Sequence, residues 1–171
     1  MASFTARHIN SKGVSEPTSP EVSWGRILAL DYGRKRIGLA ISDELTLIAR
    51  PLPTLVRTNR RNDLRRLKEI CRRNGIALLI IGLPFHITGE ESEMTQEASH
   101  FAARLEKEFG IKVKLLDERL TSWEAQRTAR ETRPRSRRKH QDLDSLAAAI
   151  LLRDYLSLKR GESVPSAAAK E

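Results

Sequence analysis

The sequence predicts an α/β domain with a mixed five-stranded sheet flanked by helices. Three observations predict it. Three β-rich runs follow one another between residues 26 and 56, then helical periodicity alternates with further strand-length apolar runs, and 171 residues are enough for one core but not for several domains.

Taken in order, Arg26-Ile-Leu-Ala-Leu-Asp31 is a short apolar run ending at an acid, the pattern of a strand. Tyr32 to Lys35 holds Gly33 and reads as a turn, and Arg36 to Ser42 as a second strand that returns as a hairpin. Ala49 to Val56 is a third strand, which Pro51 and Pro53 confine to an edge or a bulge because proline donates no ladder hydrogen bond. Arg60 to Asn74 places Leu64, Leu67, Ile70 and Cys71 on one helical face and stops at Gly75. Ala77 to Gly82 is wholly apolar, as expected of a strand covered on both faces. Met94 to Phe109 is a helix by the spacing of Ala98, Phe101, Ala102 and Leu105, and Lys112 to Leu116 is a fifth strand running into Asp117-Glu118-Arg119. Thr121 and Glu124 have the spacing of a capping box, so a helix is expected from there to about Glu131, with Pro134 ending any continuation. A final helix, from about Gln141 to Lys159, presents Leu143, Leu146, Ala147, Ile150, Leu151, Tyr155 and Leu158. Right-handed crossovers place the later strands parallel to the first.

Residues 1–23 and 161–171 are poor in large apolar side chains and read as disordered tails around a domain at 24–160. The net charge is +9, and the tails do not supply it: they carry three basic and four acidic residues, which leaves the core at +10. The excess is segregated. Arg57 to Arg73 holds eight Lys and Arg, Arg127 to Lys139 holds seven, and Gly89 to Phe109 holds six glutamates. Solubility alone would not require such segregation, whereas a polyanion partner would, because clustered cations release counterions from a phosphate backbone. The single cysteine, Cys71, excludes an intramolecular disulfide framework and a multi-cysteine zinc site, and it reads as a small core residue. No apolar run approaches the ~20 residues of a membrane span, and the N-terminus lacks the apolar block of a secretory signal. A soluble, cytoplasmic protein without a membrane partner is expected.

Acids stand at element ends. Asp31 ends the first strand, Asp117 and Glu118 end the fifth, and Asp144 falls in the first turn of the last helix as read above. Singly, each has an ordinary explanation: a turn cap for Asp31, a dipole partner for Asp144, a surface ion pair for Asp117 or Glu118. Gathered at one sheet edge, they would repel one another unless a cation sat among them, and hard oxygen donors at an open site suit Mg²⁺ or Mn²⁺. Such ions serve phosphodiester hydrolysis. Alternation puts Asp117 and Glu118 on opposite faces, so one of them points to the site; Asp117 shares a face with Val113 and Leu115, which favours Glu118. Arg36 and Arg119 flank the acids, either holding phosphates or pairing with the carboxylates. No Gly-x-Ser-x-Gly elbow is present, and the four histidines lack zinc spacing.

Leu30-Asp31-Tyr32-Gly33-Arg34-Lys35-Arg36-Ile37-Gly38-Leu39-Ala40, Ile80-Ile81-Gly82-Leu83-Pro84, Leu116-Asp117-Glu118-Arg119-Leu120-Thr121-Ser122 and Leu143-Asp144-Ser145-Leu146-Ala147-Ala148-Ala149 resemble, in order, the four motifs of the bacterial Holliday-junction-resolvase-like family of pre-16S rRNA nucleases. The first alone is weakly specific, since Asp-x-Gly also opens sugar-kinase-type ATPases; the four together are strongly specific. The resemblance implies a ribonuclease-H-like fold and a metal-dependent nuclease acting on precursor rRNA or branched DNA. It implies a catalytic site at Asp31, Glu118 and Asp144, with Asp117 among the metal ligands. Arg34, Lys35, Arg36, Arg119, Arg135, Arg137, Arg138 and Lys139 are the expected nucleic-acid contacts. Symmetric cutting of branched DNA would require a homodimer. Two other classes compete: a non-cleaving RNA-binding assembly factor built on the basic segments, and an ATPase, for which a second Asp-x-Gly loop is missing. The N-terminal extension departs from the resemblance.

Overall fold

The computed structural model describes residues 25–83, 92–117 and 137–161, with side chains in the last segment from Leu143 onward. The expected tails, apart from Gly161, and the expected helix from Thr121 lie outside the described residues. The elements run β1 (Arg26–Tyr32), β2 (Arg36–Ser42), β3 (Ala49–Val56), α1 (Arg60–Asn74), β4 (Ile76–Leu83), α2 (Glu93–Phe109), β5 (Lys112–Asp117) and α3 (Arg137–Lys159). The sheet order is β3-β2-β1-β4-β5. β2 is antiparallel to β1 and to β3, while β4 pairs parallel with both β1 and β5. This is the predicted mixed sheet. β3 lies at its edge, where the missing N–H groups of Pro51 and Pro53 face no further strand, and the β2–β3 register shifts between Ile37 and Leu39.

The two faces of the sheet are chemically unlike. One carries Leu28, Leu30, Ile37, Leu39 and Ile81 and packs against Leu64, Leu67 and Cys71 of α1 and Ala98, Phe101 and Leu105 of α2. The other carries Ile27, Ala29, Ala40 and Ile80 and packs against Ala148, Leu151, Leu152 and Leu156 of α3. The small residues of the second face let α3 lie close across β1, β2 and β3. At Gly38 the approach leaves no room for a side chain. A Cβ there would overlap the backbone carbonyl oxygen of Asp144 and come within 3.2 Å of the Asp31 Cβ.

The structure corrects two expectations for α3. The helix begins at Arg137, a turn earlier than the first apolar repeat, because nothing between Pro134 and Lys159 breaks a helix and Arg and Lys are good helix formers. Its buried part is also wider than the expected stripe. Ala147, Ile150 and Leu151 are buried as expected, but so are Ser145, Ala148, Leu152 and Leu156, while Leu146 and Leu158 are exposed. A helix seated closely on glycine and alanine buries residues on both sides of its apolar stripe.

The β1–β2 turn is fastened from the opposite side. Arg57, just after β3, donates to the Gly33 carbonyl at 2.9 Å and to buried Asp63 at 3.3 Å, and it lies 5.1 Å over the Tyr32 ring and 5.8 Å over Phe101. Asp63 also accepts from the Thr58 N–H at 3.0 Å, so one buried carboxylate orders the β3–α1 junction. Burial alone would lower the Arg57 pKa, but Tyr32 and Asp63 raise it above its ordinary value.

Three outcomes are expected. Gly38→Ala forces backbone apart and should cost about 1–3 kcal/mol, read as a lower urea midpoint at constant m-value; an unchanged midpoint would contradict the packing of α3. Asp63→Ala strands Arg57 and should cost about 1.5–3 kcal/mol in the same measurement. Burial of the Cys71 thiol pushes its pKa up from 9.0 to about 11. The folded state therefore favours the neutral thiol, and the stability this confers is complete below pH 9 and lost as pH rises toward 11. Cys71→Ala should show a shallower loss of stability over that interval.

Candidate active site

Alternation along β1 sends Ile27, Ala29 and Asp31 to the α3 face, and Leu28, Leu30 and Tyr32 to the other. Asp31 is the penultimate residue of β1, directly opposite Gly38 of β2. Because the backbone of Asp144 rests on Gly38, two acids distant in sequence meet against one glycine. Both are partly buried. The early start of α3 places Asp144 in the body of the helix rather than in its first turn. A dipole-partner role, which fades beyond the first turn, therefore does not account for it. Its carboxylate is instead held by the Arg36 guanidinium, with Nε 2.5 Å from Oδ2, and Arg36 shares the α3 face with Gly38 and Ala40. Of the two roles open to Arg36, the structure shows the ion pair.

The other expected contacts separate. Arg34 turns away from the acids and binds α2, with Nη2 2.8 Å from Glu97 and 3.1 Å from Glu93. That pairing holds the Glu97 carboxyl below, and raises Arg34 above, their ordinary pKa values. Tyr32 packs against Phe101 of α2 with ring centroids 5.1 Å apart. The turn is thus anchored to α2, a role that the one-turn spacing of Glu93 and Glu97 could have signalled and that Arg34 alone did not. The part played by Arg57 had no local sequence signal, because Gly33, Tyr32 and Phe101 come from distant parts of the chain, whereas its pairing with Asp63 six residues on is local. Lys35 is exposed at the tip of the turn, its carbonyl accepting from the Arg57 N–H at 3.0 Å.

At the end of β5, Val113 packs with the α1–α2 core and Leu116 with the α3 core. Asp117 pairs in register with Leu83, a member of the α1–α2 core, so it lies on the face of the sheet opposite Asp31. Glu118, Arg119 and Arg135 lie outside the described residues, as do the side chains of Arg137, Arg138 and Lys139. Among the described residues no group of three His, Cys, Asp or Glu side chains stands ready for a metal, and Asp31 and Asp144 are the expected ligands that the fold brings together. Cys71 is buried in the α1–α2 core, remote from them. No helix among the described residues is long and apolar enough to cross a membrane.

Residues 25–158 match the sequence profile of the family described as RuvX: Holliday junction resolvase. A relative from Koribacter versatilis, named "Putative pre-16S rRNA nuclease", is 44% identical over 142 residues, covering 83% of this chain and 92% of that protein. A protein of the same name from Thermosynechococcus vestitus is 37% identical over 134 residues, covering 78% and 88%. Among solved structures, Thermus thermophilus RuvC bound to a Holliday junction substrate aligns with 82% of this chain and 99% of its own, at 17% identity and a TM-score of 0.48. The profile match takes in every described strand and nearly all of α3, and with it both acids that meet at Gly38; the chain belongs to the RuvX family.

Proposed function

We infer that this chain is a metal-dependent nuclease that hydrolyses phosphodiester bonds in structured RNA, and that its substrate is the 5′ end of precursor 16S rRNA. The observation that carries the reading is that the Asp144 backbone and the Asp31 side chain lie against one glycine, Gly38, at the end of the central strand of a strongly basic chain. The name shared by the relatives supplies the substrate. A cytoplasmic location follows from that substrate.

The donor set fits Mg²⁺ or Mn²⁺. Asp31 and Asp144 offer hard carboxylate oxygens, and no thiol or imidazole of the described residues competes with them. We assign the third carboxylate to Glu118, because Asp117 lies on the face of the sheet away from Asp31 and the sequence alternation opposes the two. When bound, the metal would activate water and stabilise the leaving oxygen. The protein's own contribution is positional. Gly38 sets the depth of Asp144, Arg36 holds its carboxylate in one orientation, and the anchored β1–β2 turn keeps Asp31 at the edge.

Asp31→Asn and Asp144→Asn should each lower Mg²⁺- or Mn²⁺-dependent cleavage of precursor 16S rRNA by at least about a hundredfold, the cost of losing about 2.7 kcal/mol of transition-state stabilisation. RNA affinity measured in EDTA should be retained. Cleavage that survives Asp31→Asn would remove the site assignment. RNA binding with no product from the wild-type chain would favour the assembly-factor reading, and a preference for branched DNA would move the substrate to the family's other described activity.

A further inference from the structure

On the α1–α2 side of the sheet, opposite the acids, a cleft of about 450 Å³ opens between the two helices. Its cations are Arg60, Arg61, Arg65 and Lys68 of α1 and Arg104 of α2, against Glu108 as the one acid. Among the described residues some arginines, such as Arg34, Arg36 and Arg57, are held by carboxylates, and others outside the cleft, such as Arg66 on the Val56 carbonyl, are not. The cations of the cleft belong to the second group, and what sets them apart is that five of them line one groove. Arg65 bonds the neutral Asn62 side chain and Lys68 the backbone carbonyl of Glu108, and none of the five forms an ion pair with a carboxylate among the described residues.

Helix electrostatics make the placement costly. Arg60 and Arg61 occupy the first turn of α1, where the positive end of the helix dipole disfavours cations, and the acid of that turn, Asp63, is committed to Arg57 and the Thr58 N–H. A sequence that breaks a local rule without a compensating contact points to function. The form of the charge is linear. Arg61, Arg65 and Lys68 recur one helical turn apart, about 5.4 Å per turn, with Arg104 on the facing wall. A row of cations suits a row of anions better than a single one.

The helix that forms one wall of the cleft starts at the same end of the sheet as the acids. β3 runs parallel to β1 and ends beside Arg36, with Val56 paired to it, so α1 starts at the end of the sheet where Asp31 lies. Exposed Lys35 and the Arg57 backbone join the two.

We propose that the α1–α2 cleft is a second nucleic-acid site, which binds the phosphate backbone of the RNA strand as it leaves the acidic edge and passes Lys35. The proposal rests on the reading of the chain as an RNA-acting protein, and it adds an anchor on the face of the sheet away from the expected cutting site. The cleft fixes the direction in which the substrate runs, from the C-terminal end of β1 over the sheet edge and along α1.

The test compares the full wild-type chain with R61Q/R65Q/K68Q, measuring the anisotropy of a labelled structured RNA over a range of KCl concentrations in EDTA. The expected result is weaker binding and a slope of log K against log salt that is shallower by about 2–3, because each phosphate the variant no longer neutralises lowers the slope by about 0.7–1. An unchanged slope overturns the proposal. So does a variant that keeps its RNA slope but loses binding to polyglutamate, since that outcome assigns the cleft to an acidic protein. Should the triple variant unfold, R104Q with K68Q reads the same slope from both walls, with an expected decrease of about 1.4–2. Cleavage by the wild-type chain with Mg²⁺ or Mn²⁺ is assayed separately; its absence counts against the nuclease reading and does not alter what the salt slopes say of the cleft.

Discussion

The site depends on a backbone contact that only one residue type permits. α3 descends on β2 until the carbonyl of Asp144 occupies the space a side chain at position 38 would need. Everything acidic at that edge follows from it. The contact fixes the height of Asp144, sets it beside Asp31, and brings it within reach of Arg36. The small residues of the α3 face, Ala29 and Ala40 on the strands and Ala148 on the helix, extend the same close approach along the sheet. A larger side chain at any of these places would lift the helix, and the distance between the acids is the quantity that would change.

The opposite face works by other means. Large apolar residues separate α1 and α2 from the sheet, and polar fasteners hold what must not move. Arg57 is the chief of these. It touches the turn through Gly33, the helix start through Asp63 and the aromatic pair of Tyr32 and Phe101. Arg34 adds a second tie to α2. The turn after β1 is thus held from below while Asp31 lies on the face above, a division in which one face gives rigidity and the other carries the two acids.

Charge follows the same division. The core's excess of cations is not spread evenly: Arg34, Arg36 and Arg57 around the acidic site are held in ion pairs, while Arg60, Arg61, Arg65 and Lys68 of α1 line one cleft without a carboxylate partner among the described residues. The arginines nearest the acids are therefore poorly placed to hold a long strand, and the α1–α2 cleft is better placed.

The sequence alone determined the strands, their order and the first two helices to within a residue or two, because hydrophobic period, glycine stops and prolines act locally. It also singled out Asp31 and Asp144 as acids at element ends. It placed Ala147, Ile150 and Leu151 of α3 in the core but could not set the limits of the buried face. Those depend on the size of residues in three distant strands, so Leu146 and Leu158 looked like core and are exposed. Nor could it choose between phosphate contact and ion pair for Arg36, or find the α2 glutamate that Arg34 meets, since those partners lie 108 and 63 residues away. Local pattern decides what a segment becomes. Which carboxylate an arginine meets, and which cations remain unpaired, is decided only when the helices close on the sheet, because a charge is neutralised by whatever the fold places within a few ångströms of it.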